Sequence, residues 1–395
     1  MTDRHLCIMT AGSSSLKFSA YKATPTGPLL VLKGAVEGIG EPDSRLRLST
    51  SDGKSMRDTR FAIADHAAAL AALAALHDGP LSLEGLAGFG HRVVHGGPDH
   101  AAPVYLDPRT IARIESLQSL APQHNPPAVA VIKALAERYP GVPQVACFDT
   151  AFHRTHPAVA DHYAIPDALY QQGVRRYGFH GLSYEYIAGR LDDVAPSIAL
   201  GRVVVAHLGA GASMCALAGG RSIDSSMGFS AVDGLPVGTR SGSVDPYLLL
   251  WLQRTKGWSV DQVDDFLQSD CGLKGLSGIS EDIPTLLESD EPSAKFALDY
   301  FVYHVCRFTG ALSAAMGGID AMVFTGTVGE PCAAIRGRVL RRLGFLGFVL
   351  DEAANDAGGP LLTLPASRCP AYVIPTDMEV VIARHTLALI GDGAA

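Results

Sequence analysis

The chain has 395 residues and a net charge of −8, with 47% hydrophobic and 18% charged residues. That length fits two domains rather than one core, and the balance describes a folded chain, not a disordered one. The acidic surplus, with no basic block, argues against nucleic acid or an anionic membrane as a partner.

In chain order, the run 6–9 (Leu6 first) enters Thr10-Ala11-Gly12-Ser13-Ser14-Ser15-Leu16-Lys17 and leaves through Phe18-Ser19-Ala20-Tyr21, a strand, tight turn and strand. A strand near 29–32, an Ala/Leu-rich helix over 63–76 and a strand over 86–94 follow, giving a mixed α/β class. Pro122 and the pair Pro126-Pro127 flank His124-Asn125 ahead of a helix over 128–138. The run 143–148 reads as a buried strand ending on Asp149, where an acid in an α/β fold faces ligand. The domain change is expected there: 1–149 with 382–395 form one domain, and 150–381 the other. In the second, Val203 to Leu208 enters Gly209-Ala210-Gly211-Ala212-Ser213 and leaves through Met214-Cys215-Ala216-Leu217, repeating the first hairpin. Helices over 246–255, 260–268 and 294–315 precede a strand over 321–325, which feeds Gly326-Thr327-Val328-Gly329-Glu330. The segment 380–389 is apolar at helical spacing and is expected to pack back on the first domain.

The repeated hairpins carry the functional argument. Glycine lets backbone N–H groups approach an oxyanion, serines add hydroxyl donors and a lysine adds a point charge, so two such loops suggest two related domains serving one phosphate chain. Three further loops set basic residues between glycines or aromatic side chains: Gly90-His91-Arg92-Val93-Val94-His95-Gly96-Gly97, Arg175-Arg176-Tyr177-Gly178-Phe179-His180-Gly181 and Gly238-Thr239-Arg240-Ser241-Gly242. Arg92 and Arg240 suit anion forks, while His124 and His180 sit on constrained loops where packing needs no polar group. His66, His77 and His100 read as structural. No H-E-x-x-H, clustered Cys/His set, G-x-S-x-G elbow, Walker loop or Rossmann fingerprint is present, so a zinc site is not expected. The chemistry implied is phosphoryl transfer by positioning and charge neutralisation. Seven scattered cysteines without a C-x-x-C pair favour a reducing compartment. With no leader and no apolar run of membrane-spanning length, a cytoplasmic protein is expected.

Ala11-Gly12-Ser13-Ser14-Ser15-Leu16-Lys17, His91-Arg92-Val93-Val94-His95-Gly96-Gly97, His124-Asn125-Pro126-Pro127, Phe148-Asp149-Thr150-Ala151-Phe152-His153, Tyr177-Gly178-Phe179-His180-Gly181 and Gly238-Thr239-Arg240-Ser241-Gly242 together resemble the acetate kinase family of short-chain carboxylate kinases. The resemblance spans nearly the whole chain. It implies two related α/β domains of the actin-like ATPase, ribonuclease H-like fold with a cleft between them, the first domain on the acyl-substrate side and the second binding nucleotide. It further implies a homodimer that makes an acyl phosphate and ADP from ATP and acetate, propionate or a similar acid. Arg92 and Arg240 would clamp acyl substrate and phosphoryl group, His180 and His124 would donate hydrogen bonds to it, and Asp149 would organise the centre and its Mg2+. The acyl pocket maps onto Val94, Gln123, Phe179 and Ala231. Nucleotide contacts map onto Ser13, Ser15, Lys17, His207, Gly209, Ala210, Gly211, Asp282, Ile283, Gly326, Thr327 and Gly329.

The chain departs from the family's pattern at several of these places. Thr10 stands where asparagine is usual, a poor replacement near the metal. Met378 follows Pro375-Thr376-Asp377 where an acid is usual, and a thioether does not serve a hard cation, so Asp377 or Glu379 could act only by a shift in register. Ala210 replaces asparagine, Thr327 a glycine and Pro284 an arginine. Gln123 replaces leucine and Ala231 proline, which predicts a roomier, partly polar acyl pocket with a buried amide that favours propionate or a hydroxy- or oxo-acid. The eroded donor side leaves two alternatives open, another phosphoryl donor such as pyrophosphate or another nucleotide, and a non-catalytic nucleotide or metabolite sensor.

Overall fold

Two sheets of related construction divide the chain. The computed structural model describes residues 4–76, 81 and 85–392, so His77 lies outside the described residues. One unit comprises Met1–Phe152 with Asp377–Ala395, and the other His153–Thr376.

The first unit carries β1 (His5–Ala11), β2 (Ser15–Thr24), β3 (Gly27–Glu37), β4 (Ser44–Thr50), β5 (Ser55–Phe61), β6 (Leu86–Val93), β7 (Val104–Tyr105) and β8 (Gln144–Phe148), in the order β5-β4-β3-β2-β1-β6-β8-β7. β1, β6 and β8 run parallel, whereas β1 through β5 form an antiparallel meander. Alternation along β1 decides its packing. Cys7 and Met9 join a core with Leu70, Leu73, Val131 and Leu135 of the helices His66–Ala74 and Asn125–Arg138. Ile8 turns to the other face, where the helix Met378–Asp392 lies. That helix comes so near that a Cβ on Gly90 would lie 2.4 Å from Oγ1 of Thr386 and 2.7 Å from Cγ2 of Ile382. The apolar segment near 380–389 thus packs on the first unit as expected.

The second unit carries β9 (Arg202–His207), β10 (Ser213–Ala218), β11 (Arg221–Ser225), β12 (Ala321–Thr325) and β13 (Ala371–Val373), in the order β11-β10-β9-β12-β13. An antiparallel hairpin again adjoins parallel strands, β9 beside β12 beside β13. The 24-residue helix Pro292–Ala315 closes this sheet, burying Phe301, Val302 and Val305 against Val204, Met214 and Phe324. The pattern of hairpin followed by parallel strands repeats that of β2, β1, β6 and β8, which bears out the two related α/β domains.

Local structure departs from expectation in three places. The helix over 128–138 starts earlier, at Asn125, because Pro126 and Pro127 occupy its first turn, where no N–H is needed. β4 and β5 extend the first sheet beyond what periodicity showed. The helix over 260–268 ends at Asp265 and gives way to a π-helical turn, Phe266–Asp270. No helix among the described residues is long and apolar enough to cross a membrane.

Candidate active site

In the first unit, chemistry gathers at the carboxyl ends of the parallel strands, where the ladder stops and side chains are free to converge. Arg92 is the penultimate residue of β6, and Asp149 follows β8, its N–H donating to the Val93 carbonyl at 3.1 Å. The Arg92 guanidinium donates from Nε to Oδ1 of Asp149 at 2.9 Å and from Nη2 to Oδ2 at 2.5 Å. Burial disfavours the Arg92 charge, but the Asp149 carboxylate and its hydrogen bonds more than offset this and raise its pKa. The loop after β6 is tied down on both sides. Gly96 N–H donates to Oγ1 of Thr150, while Asn125 accepts from His95 N–H and donates to the His95 carbonyl. His124 precedes Asn125 as the half-buried N-cap of its helix.

In the second unit, His180 caps the helix Gly181–Val194 with φ 58°, the single non-glycine residue at positive φ among the described residues. A left-handed conformation at a histidine is uncommon and marks a side chain held for a purpose. Its ring stacks on His207, the last residue of β9, with centroids 4.5 Å apart. Arg240 donates to the Ala231 carbonyl at 2.9 Å, and no carboxylate among the described residues forms an ion pair with it. Burial alone lowers its pKa. Its loop is clamped by the π turn and the segment that follows it: Cys271 N–H donates to the Thr239 carbonyl, Lys274 N–H to that of Gly238, and Oγ1 of Thr239 to that of Gln268. Gly272 has φ +63°, and a Cβ there would fall 2.0 Å from the Val237 carbonyl oxygen. The Gly209–Gly211 turn borders the same region. A Cβ on Gly211 would lie 3.0 Å from Nη2 of Arg240 and 3.5 Å from Nε2 of His180, so the missing side chain leaves room beside both nitrogens.

The last glycine loop adjoins the second hairpin. A Cβ on Gly209 would meet Oγ1 of Thr327 at 2.8 Å, and Gly326, at φ +85°, would carry one 2.6 Å from the Leu208 carbonyl oxygen. Val328 and Gly329 N–H groups donate to that carbonyl, and Ala210 is exposed at the tip. Glu330 holds the loop by accepting from Gly326 and Thr376 N–H groups.

The Acetokinase family description matches residues 5–384. The chain belongs to the acetokinase family. It is 51% identical over 391 residues to an acetate kinase of Nitrobacter hamburgensis, covering 98% of this chain and 96% of that one. It is similar in structure to the acetate kinase of Porphyromonas gingivalis, with TM-score 0.88, 34% identity, and 98% and 100% of the two chains covered. A propionate kinase from Francisella tularensis aligns with TM-score 0.91 and 31% identity over 98% of this chain and 99% of that one.

Several residues expected in the site also hold structural positions. Asp282 caps the helix Ile283–Leu287, its Oδ2 accepting from the N–H and hydroxyl of Thr285, and Ile283 is a core residue at 4% exposure. Asp377 accepts from Val380 N–H at the start of the helix Met378–Asp392, and Glu379 is largely buried, which raises its pKa. Lys17 lies in β2 and lines an open groove of about 520 Å³ with Lys33, Arg57 and Glu379. Gln123 is exposed, which corrects the expected buried amide: its polar group stays hydrated. Val94 and Phe179 are buried, Ala231 is half-buried, and Ser13 is exposed while Ser15 is half-buried.

Among the described residues no group of three or more His, Cys, Asp or Glu could hold a metal ion. Magnesium, however, takes one or two carboxylates and completes its shell with phosphate oxygens and water. Asp149 keeps lone pairs beyond those used by Arg92, so it suits a magnesium ion arriving on a nucleotide, with the Thr10 hydroxyl, half-buried in β1, as a weaker oxygen donor.

Sequence patterns missed some supports. His66, read as structural, hydrogen-bonds the Gly12 carbonyl at 2.8 Å and so fixes the first hairpin loop. Ser213 was read only as part of the second hairpin loop, not as a support of His180, and Tyr184 gave no signal, since a tyrosine in a helix looks like ordinary filling.

Proposed function

We propose that the protein reversibly transfers the γ-phosphoryl group of ATP to a short-chain carboxylate, acetate or propionate, giving an acyl phosphate and ADP. The observation that carries this reading is Arg240, a largely buried guanidinium held by one carbonyl and clamped on a fixed loop beside His180, without a carboxylate partner among the described residues. Such a charge is stabilised by an anion, and the transferring phosphoryl supplies one. The carboxylate substrate is ionised at pH 7 and needs no base. Its oxygen forms a bond to phosphorus as the bond between phosphorus and the β,γ-bridging oxygen breaks. Arg240 and His180 would donate to the equatorial oxygens. Arg92, kept charged and oriented by Asp149, would receive the acid, and His124 would add a donor. Asp149 would hold the magnesium that accompanies ATP, which supplies charge neutralisation at the phosphates. Ser13, Ser15, the Gly209–Gly211 turn and Gly326–Gly329 would contribute phosphate contacts.

A homodimer belongs to the same reading. The helix Pro246–Lys256 leaves Tyr247, Leu248, Leu250 and Trp251 exposed, apolar surface that a second copy would cover. Light scattering tests it, and a monomer at assay concentration would remove it. Free thiols at all seven cysteines suit a reducing compartment such as the cytoplasm.

The activity is tested by trapping acyl phosphate with hydroxylamine, with magnesium present, across ATP, GTP and pyrophosphate and acids from formate to butyrate, glycolate and lactate. Hydroxamate from ATP with acetate or propionate supports the reading. Product with pyrophosphate or GTP but not ATP replaces the donor, and none under any pairing overturns the reading in favour of a sensor.

A further inference from the structure

The hydrogen bonds under His180 have a direction. Nδ1 of His180 lies 2.8 Å from Oγ of Ser213, and that oxygen lies 2.5 Å from the Tyr184 hydroxyl. Ser213 is the first residue of β10, Tyr184 sits one turn into the helix that His180 caps, and both are 0% exposed. The Tyr184 ring packs edge-on against His153, with centroids 5.6 Å apart, and His153 in turn hydrogen-bonds the Phe179 carbonyl through Nε2. The phenol therefore has a fixed place.

The protons of this three-member chain can be counted. Burial pushes the Tyr184 pKa well above the ordinary phenol value, so the phenol keeps its proton and must donate it. Ser213 Oγ is its acceptor, and a serine hydroxyl offers one proton and two lone pairs. With a lone pair engaged by Tyr184, the serine proton is directed to Nδ1 of His180. Nδ1 is then an acceptor, and the ring's proton is carried on Nε2. A proton on Nδ1 would instead require Ser213 to accept twice and would leave its own hydroxyl proton without an acceptor in a fully buried position. His207, stacked on the same ring, has no comparable direction: Ser183 bonds both its Nδ1 and Oγ1 of Thr376, and either hydroxyl can donate to the other.

We propose that Tyr184, acting through Ser213, is a positioning residue that fixes His180 in its Nε2–H tautomer, so that the imidazole donates toward the space it shares with Arg240. This rests on the phosphoryl-transfer reading for its purpose, though not for its geometry. Arg240 supplies charge in that arrangement, and His180 supplies a directed neutral donor. The left-handed backbone of His180 has a reason in the same terms, since it brings Nδ1 over Ser213 while Nε2 faces the gap at Gly211.

Nitrogen-15 NMR of protein labelled in the histidine ring reads the tautomer directly, with the His180 signals identified by their loss in His180→Gln. The expected wild-type pattern is a protonated Nε2 and an unprotonated, hydrogen-bonded Nδ1. Tyr184→Phe removes one oxygen and is expected to mix the two tautomers and lower kcat about tenfold, with KM for both substrates within about twofold. Ser213→Ala is expected to do the same with a larger loss. A wild-type His180 protonated on Nδ1 overturns the proposal, as does a folded Tyr184→Phe with tautomer and kcat unchanged. The tautomer is read without turnover, so a wild-type protein that makes no acyl phosphate would fail the activity reading alone, and the spectra would still decide the relay.

Discussion

Arg92 and Asp149 hold each other through two parallel hydrogen bonds, from a guanidinium 19% exposed to a carboxylate 1% exposed. The pair orients both groups and fixes the ends of β6 and β8 relative to each other. Removing one partner strands the other charge in a poorly hydrated place. Asp149→Ala is therefore expected to cost about 3–5 kcal/mol in urea unfolding, in addition to abolishing turnover.

Arg240 stands in contrast, because its guanidinium has no carboxylate partner among the described residues to abandon. Arg240→Ala should lower kcat by about 10²–10³, the scale of losing one transition-state donor, while urea stability changes by less than about 1 kcal/mol. A large loss of stability with turnover preserved would make this arginine structural.

Gly211→Ala inserts a methyl group 3.0 Å from Nη2 of Arg240 and 3.5 Å from Nε2 of His180. Arg240 can yield, since the contact is at the tip of its side chain, so the fold should be retained. The space between the donors should not, and kcat/KM is expected to fall roughly 10–100-fold, as misplacement by about 1 Å commonly costs. Initial rates beside a thermal melt check both halves.

His91 sets a pH dependence of stability. It is 1% exposed, its Nε2 bonds Oε1 of Gln144 at 2.7 Å, and burial lowers its pKa from 6.5 to about 4. Between those values the unfolded chain binds a proton that the folded protein refuses. Stability from this residue is therefore complete above pH 6.5 and lost as pH falls toward 4, by up to about 3 kcal/mol. Between pH 7 and pH 4.5 the urea midpoint of wild type should fall further than that of His91→Gln, which has no group to titrate there.

What the sequence revealed and what it withheld follow from the range of the interactions. Asp149 was legible because an acid ending an apolar strand is out of place in packing, and Arg240 because glycines bracket it. The paired hairpins showed the duplicated sheet. By contrast, the clamp of 271–274 on the Arg240 loop consists of backbone hydrogen bonds between segments about thirty residues apart, which no side-chain pattern encodes. His66 reaches the Gly12 carbonyl across 54 residues, and nothing local marks it. Gln123 was expected to be buried because the family resemblance mapped it to the acyl pocket, and it is exposed.

The helix Met378–Asp392 completes a unit that otherwise consists almost entirely of Met1–Phe152. On a ribosome, the whole of His153–Thr376 emerges before that helix exists, and it is contiguous, so it can fold while synthesis continues. The sheet face carrying Ile8 and Gly90 stays bare meanwhile, exposed to chaperones and to neighbouring nascent chains. The order in which the units are completed thus reverses the order in which they start: the unit that begins first is the one that closes last.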